Sequence, residues 1–374
     1  MKRIFSYILA NLIFFSVLSQ NITETDLLNA LKSGDAVKAK SLSDKSIEQN
    51  NASTDASLWF YRGQIYLALF ASADKQIQNL SPDALEIAYK AFNKTIELDK
   101  AKKYNKESIE ALQSIATQFN YEGANLFNQQ QYEKALSYFE NAITISKMPA
   151  INKIDTIVYY NAALAAEKCN KISLAIDYYE KLKQFKFGGA NIYLELGKIY
   201  CDNKLEKQGI ETFKQGISLY PDEKIKFLNE LINFYLKTNN LNEALAYTDE
   251  ALKYDNNNPS LFFIKGSLLE QSGKENEAEK MYLKALELNP LYQDALYNLG
   301  AMYYNRATAI IKKAMNKTEQ NQAIDIYLQA QKYLETYNNN FPREEIILKM
   351  LKTIYTLTNQ TEKLNQVNEW LKSF

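Results

Sequence analysis

Residues 266–300 read GSLLEQSGKENEAEKMYLKALELNPLYQDALYNLG. The stretch opens and closes on a glycine, Gly266 and Gly300, 34 positions apart. Between them Ala278, Tyr282 and Ala285 recur at helical spacing. Pro290 closes the run, because proline disfavours helix in the residue before it. Related text returns along the chain: YEKALSYFENAITIS at 132–146, SLAIDYYEKLKQF at 173–185, QGIETFKQGISLYP at 208–221 and NEALAYTDEALKYD at 242–255. Self-similarity of this kind marks a stack of small units, none of which buries its apolar face alone.

A second pattern precedes these segments. It appears as Trp59, Gly63, Tyr66; as Tyr193, Leu196, Gly197, Tyr200; as Leu299, Gly300, Tyr303; and as Leu351, Tyr355. The segments themselves carry Ala135, Phe139, Ala142; Ala175, Tyr179; and Ala244, Ala251. Together these residues resemble the tetratricopeptide (TPR) pattern W-x2-L-G-x2-Y…A-x3-F…P. The resemblance implies an all-α fold, a right-handed α-solenoid of about nine hairpins, each made of two antiparallel helices, A and B. It extends, more weakly, to exported bacterial TPR proteins.

Where A crosses B, a large side chain would hold the backbones apart. Gly63, Gly123, Gly197, Gly266 and Gly300 therefore fall on helix A, with Ala163 in that place once. Ala135, Ala175, Ala244 and Ala278, with Ala142, Ala251 and Ala285, do the same on helix B. Gly209 and Gly216 replace such alanines in one repeat and are expected to loosen it, since glycine inside a helix costs about 1 kcal/mol relative to alanine.

The register divides the chain into a leader at 1–19, N-terminal repeats with an insertion at 20–115, a regular array at 116–292, and a lengthened repeat with capping helices at 293–374. Within the array the repeats start near 116, 156, 190, 225 and 259. The insertion is LFASADKQIQNLSPDALEI, and the lengthening is NRATAIIKKAMNKTEQNQAIDIY, which keeps helical spacing in both helices.

Composition excludes several functions. Lys and Arg number 44, as do Asp and Glu, so there is no basic footprint for nucleic acid. Histidine is absent, which removes Ser-His-Asp and Cys-His nucleophile systems and histidine metal sites. Carboxylates are spread over every solvated face, so no catalytic pair stands out. The chain reads as a non-enzyme that needs no cofactor or metal.

The first residues, MKRIFSYILANLIFFSVLSQ, place Lys2 and Arg3 before a mostly apolar run from Ile4 to Leu18. Val17 and Ser19 suit a signal-peptidase cut that leaves Gln20 first. This predicts export, to a bacterial periplasm, and an uncleaved membrane anchor is the alternative. No later segment is long and apolar enough to span a bilayer. Export permits a disulfide between the only two cysteines, Cys169 and Cys201. Two buried or half-buried thiols are the expectation.

Most aromatics fall on packing positions, among them Tyr66, Tyr200, Tyr235, Tyr303, Phe139, Tyr179, Phe213 and Tyr282. In the resembled family helix A lines a groove, at positions three before, one after and four after the crossing residue. The partner-binding set on that face is Tyr160, Asn229, Asn233, Phe263, Tyr297 and Tyr304. Amides would bind the backbone of an extended peptide, and rings would bind its side chains. The family's clamp for acidic C-terminal tails is not matched: no lysine precedes Asn229 and Asn233 correctly, and Ile264 replaces a polar clamp residue. A protein-binding scaffold is therefore the reading. The alternative, a carbohydrate-binding surface solenoid, wants a lipid-anchored cysteine and exposed tryptophans, and neither is offered.

Overall fold

The computed structural model describes residues 21–374, so the leader and its cleavage site lie outside the described residues. Among them the chain forms nine consecutive antiparallel helix hairpins and no strand, an all-α solenoid class of fold. It divides into two compact units. The first unit, through Phe185, holds hairpins α1 (Glu24–Ser33) with α2 (Ala36–Ser46), and α3 (Ala56–Phe70) with α5 (Ala84–Leu98), the insertion forming the short α4 (Lys75–Gln78) between them. It continues with α6 (Asn105–Asn128) and α7 (Tyr132–Ser146), then α8 (Thr156–Lys168) and α9 (Ile172–Gln184). The second unit, from Lys186, pairs α10 (Ala190–Asp202) with α11 (Glu206–Leu219), α12 (Lys224–Lys237) with α13 (Leu241–Tyr254), and α14 (Pro259–Gln271) with α15 (Glu275–Leu288). It ends with the long α16 (Gln293–Ile311) and α17 (Lys317–Asn340), then α18 (Glu345–Leu357) and α19 (Thr361–Leu371).

Six hairpins turn in the same way. Helix A ends in one left-handed residue: Gln130, Asn170, Lys204, Asn239, Gly273 or Asn359. The next amide then donates back five residues, as in Lys171 to Ala166 and Lys274 to Leu269, at 2.8 and 2.9 Å. This is the Schellman closure, which satisfies carbonyls that a helix end would otherwise leave unpaired. Asparagine and glycine tolerate that backbone best, so a short polar turn suffices to reverse the chain.

Within a hairpin, the small residue on helix A sits under a large side chain of helix B. A Cβ on Gly63 would lie 2.8 Å from the Phe92 ring, on Gly123 2.7 Å from Phe139, and on Gly266 2.7 Å from Tyr282. Gly300 faces Leu334 instead. The glycines therefore admit a large side chain, a ring in three of these four cases, rather than a bare backbone, which corrects the crossing expected from the sequence. Full burial of such a side chain contributes roughly 1.5–3 kcal/mol.

Gly209 and Gly216 depart further from expectation. A Cβ on Gly209 would meet the Cys201 sulfur at 2.3 Å and the Gly197 carbonyl at 2.8 Å. On Gly216 it would meet the Phe227 ring at 2.2 Å. Both glycines mark close approach, not slack. The third hairpin also differs in register: α6 starts at Asn105, not near 116, so a boundary at 115/116 falls inside a helix. The physical reason is that Ser108, Leu112, Ile115 and Phe119 keep one buried stripe running upstream of the repeat signature.

Consecutive hairpins are also joined by polar contacts. Tyr66 on α3 donates to Asp44 on α2, where Arg62 and Lys40 also bind at 2.7 and 2.9 Å. Tyr303 donates to Glu279 at 2.6 Å beside Arg306, and Tyr355 to Glu335 at 2.8 Å beside Lys363. Burial alone would raise the Asp44 and Glu335 carboxyls. The hydrogen bonds from these partners outweigh it and hold both below their ordinary values. Tyr138 makes the same kind of bond to Glu86.

Candidate functional site

In the second unit, α12 buries Phe227, Leu228, Leu231, Ile232 and Phe234, which leaves one narrow stripe of the helix to solvent. Asn229 and Asn233 occupy that stripe one turn apart. Both are exposed, and neither makes a side-chain hydrogen bond among the described residues. Beside Asn233 a cleft of about 290 Å³ separates α12 from α10. Its rims carry opposite charges that pair across it: Lys198 with Glu230 at 3.1 Å and, more loosely, Lys237 with Asp202 at 3.8 Å. Cys201 lines the same cleft as a free thiol. Burial first, then Asp202, Glu206 and Glu230, push it up to about 11, so it stays protonated and a poor nucleophile at neutral pH. Cys169 is also free, and both cysteines are half-buried.

The aromatic members of the predicted set are placed differently from the asparagines. Phe263, Tyr297 and Tyr304 are half-buried against the core of the second unit. Phe263 lies 5.5 Å from the Tyr292 ring and 5.7 Å from Tyr282; Tyr297 lies 6.3 Å from Tyr337, and Tyr304 5.4 Å from Tyr327. Each is therefore engaged by at least one core ring and is only partly open to solvent. Glu270, on the same stripe of α14, is engaged by the Tyr282 hydroxyl at 2.6 Å.

In the first unit, Tyr160 is half-buried on α8. The neighbouring Asn161 donates to Asn120 of α6 at 3.1 Å. A cleft of about 250 Å³ opens here between α6, the end of α7 and the start of α8. Gln113, Thr117, Asn120 and Lys153 line it, with Ile145 and Val158 as its apolar floor. Gln113 and Lys153 escaped the sequence reading. The apolar spacing of Leu112, Ile115 and Phe119 could have revealed that α6 continues upstream and carries Gln113 on its open side.

No helix among the described residues is long and apolar enough to cross a membrane.

The family model of the tetratricopeptide repeat matches residues 190–223 and 259–290. The chain is 25% identical over 211 residues to the TPR repeat-containing protein YpiA of Bacillus subtilis (strain 168), covering 55% of this chain and 48% of that one. It is 26% identical over 198 residues to the human protein O-mannosyl-transferase TMTC3, covering 48% of this chain and 21% of that one. The chain thus spans less than half the length of either relative. Among solved structures, the C-terminal part of a TPR repeat-containing protein from Cytophaga hutchinsonii aligns with 68% of this chain and 94% of its own, at a TM-score of 0.47 and 18% identity.

Proposed function

We propose that this chain, a tetratricopeptide-repeat protein, is a non-enzymatic scaffold that holds an extended segment of a partner protein against its A helices. Such repeats generally mediate protein–protein interactions, and the fold is generally non-enzymatic. The observation that carries the reading is the pair Asn229 and Asn233, exposed, unengaged and one turn apart beside a cleft. Each amide offers a donor and an acceptor, the complement of one peptide unit. The half-buried rings of Phe263, Tyr297 and Tyr304, and of Tyr160 in the first unit, would supply apolar surface for side chains. We further infer that Lys2, Arg3 and the run from Ile4 to Leu18 act as a secretory leader and deliver a mature chain beginning at Gln20 to a bacterial periplasm.

A photo-crosslinking residue at Lys237, which lines the same cleft, tests the scaffold in the producing cell. A discrete crosslinked partner is expected, and Asn229→Ala with Asn233→Ala should remove it. Stability should shift by no more than about 0.5 kcal/mol, as for exposed sites. An undiminished crosslink in the double variant would refute the reading. Intact mass of the mature protein tests the leader: retention of residues 1–19 refutes export by cleavage.

A further inference from the structure

The extra length of the hairpin α16–α17 runs beyond the turns of both neighbouring hairpins in the second unit. Arg306 of α16 reaches Glu279 at 2.9 Å and Glu275 at 4.0 Å, and Glu275 is the first residue of α15. Past that level α16 continues to Ile311, about 7.5 Å further along its axis. On the other side, Gln331 of α17 donates at 3.1 Å to Gln360, which precedes α19 in the turn from α18. The first residue of α17, Lys317, lies about 21 Å before that level. The projection is packed: Ala307 and Ala323 are fully buried, and the Thr308 and Tyr327 hydroxyls are 2.8 Å apart.

At its tip, polar contacts fix the turn and leave apolar and cationic side chains outside. Asn316 accepts the Glu319 amide at 2.9 Å and caps α17. The Glu319 carboxylate accepts the Met315 amide at 2.7 Å. Glu319 is the only acid in the sequence between Arg306 and Asp325, and it is thus engaged by the backbone. Met315 is 95% exposed. Lys312, Lys313 and Lys317 flank it in the chain, exposed and without an ion pair among the described residues. Ile310 and Ile311, half-buried, lie about one turn back.

An apolar tip between unpaired cations fits a surface that is anionic outside and apolar just beneath. A hydrophilic polyanion would satisfy the lysines and leave Met315 in water. An anionic bilayer satisfies both: its headgroups neutralise the lysines, while the lysine stems and the methionine reach the acyl boundary. We propose that the tip of this hairpin, from Lys312 to Lys317, docks on an anionic lipid surface with Met315 below the headgroups. The assignment is separate from the partner groove on the A helices.

Sedimentation with vesicles tests it, using the chain from Gln20 so that the apolar leader cannot itself enter the bilayer. Vesicles of phosphatidylglycerol and phosphatidylcholine in equal parts should bind roughly 100-fold better than phosphatidylcholine alone, about fivefold for each lysine. Raising salt to about 0.5 M should remove most of that preference, because the lysines are exposed. Lys312→Glu with Lys313→Glu should lower binding by at least about 25-fold. The same reversal at Lys102 and Lys106, also exposed and without an ion pair among the described residues, should leave it unchanged. Met315→Gln should lower it roughly tenfold without shifting the melting temperature. Met315→Trp should be quenched by brominated lipid more than the unsubstituted chain. Equal binding to the two vesicle types, an equal loss from the Lys102 and Lys106 reversal, full binding by Met315→Gln, or retention on heparin without vesicle binding would overturn the proposal.

Discussion

The cleft between α10 and α12 and the cleft between α6 and α8 are built from the same parts: two successive A helices, an amide on the first or second, and a floor of apolar side chains. They are finished differently. In the second unit, Lys198 reaches Glu230 and Lys237 approaches Asp202, so the charges on the two rims satisfy one another. In the first unit the rims meet through a neutral amide pair, Asn161 to Asn120, and Lys153 forms no ion pair among the described residues. One geometry thus yields a stitched seam in one place and an open slot in another, where Lys153 and Asp155 line the cleft without pairing across it. The choice is made by surface charges that the hairpin itself does not need. Packing differs as well: the stitched cleft has Phe213 as part of its wall, with the ring over Gly197, whereas the open one presents Thr117 and Gln113.

The largest expected effect tests that packing difference. Phe213→Ala should destabilise the second unit by about 3–5 kcal/mol, the range for a fully buried phenylalanine. Thr117→Ala, an exposed position in the first unit's cleft, should change stability by no more than about 0.5 kcal/mol. Denaturant melts of both variants decide it, and similar losses would break the comparison.

Next comes Gly209→Ala. The helix would gain about 1 kcal/mol of propensity. Overpacking against the Cys201 sulfur and the Gly197 carbonyl should cost about 1–3 kcal/mol, so a net loss is expected. Adding Cys201→Ala should restore only part of it, because the carbonyl stays. Hydrogen exchange over 190–219 would localise the change, and a more stable Gly209→Ala would show that this hairpin does contain slack.

A smaller effect concerns acid, where the two units should behave alike. Asp44 and Glu335 titrate below their ordinary values of 3.8 and 4.5 in the folded chain. A carboxyl depressed by folding stabilises at pH above its unfolded value, and that contribution is lost as the pH falls through the folded one. Stability should therefore fall as pH drops through about 4.5 for Glu335 and 3.8 for Asp44 and continue to fall below. Glu335→Gln should cost about 1–2 kcal/mol at neutral pH, as for a hydrogen bond to a charged group. It should also flatten the acid limb. Unchanged acid limbs in both Glu335→Gln and Asp44→Asn would remove these carboxyls from the account.

The smallest effect sharpens the contrast of the seams. Lys198→Ala with Glu230→Ala should alter stability by less than about 1 kcal/mol, because the pair is partly exposed. A larger loss would mean that the seam holds the unit together and does not merely close a cleft.

The hairpins were legible because small residues at a crossing have few substitutes, and their 34-residue return survives drift elsewhere. The lengthening of α16 and α17 was legible because each part of it keeps helical spacing on its own helix. The upstream part of α6 was not, since residues 105–115 contain no crossing glycine and share only an apolar stripe with the rest of the helix. Side-chain direction was the harder matter. Phe263 sits three residues before Gly266, on the flank between groove and core, and its ring is long enough to reach Tyr282 and Tyr292. Asn229 occupies the analogous place on α12, is short and polar, and stays in water. The free lysines were invisible because pairing depends on distant partners: Lys198 meets an acid 32 positions away, and Lys153 meets none among the described residues.

The tyrosine–carboxylate contacts between hairpins carry a mechanical consequence. In the second unit, Tyr303 to Glu279 and Tyr355 to Glu335 each tie one rung to the rung before it, and no described tie of this kind skips a rung. The last rung carries two such ties to the rung before it, Tyr355 to Glu335 and Tyr337 to Glu344. Because these ties reach only the neighbouring rung, tension on the last one would have to part both Tyr355 from Glu335 and Tyr337 from Glu344 before it reached the tie of Tyr303 to Glu279, so the ladder would peel in steps of one hairpin. It would also heal in the same steps once the load is released, the outermost rung closing last.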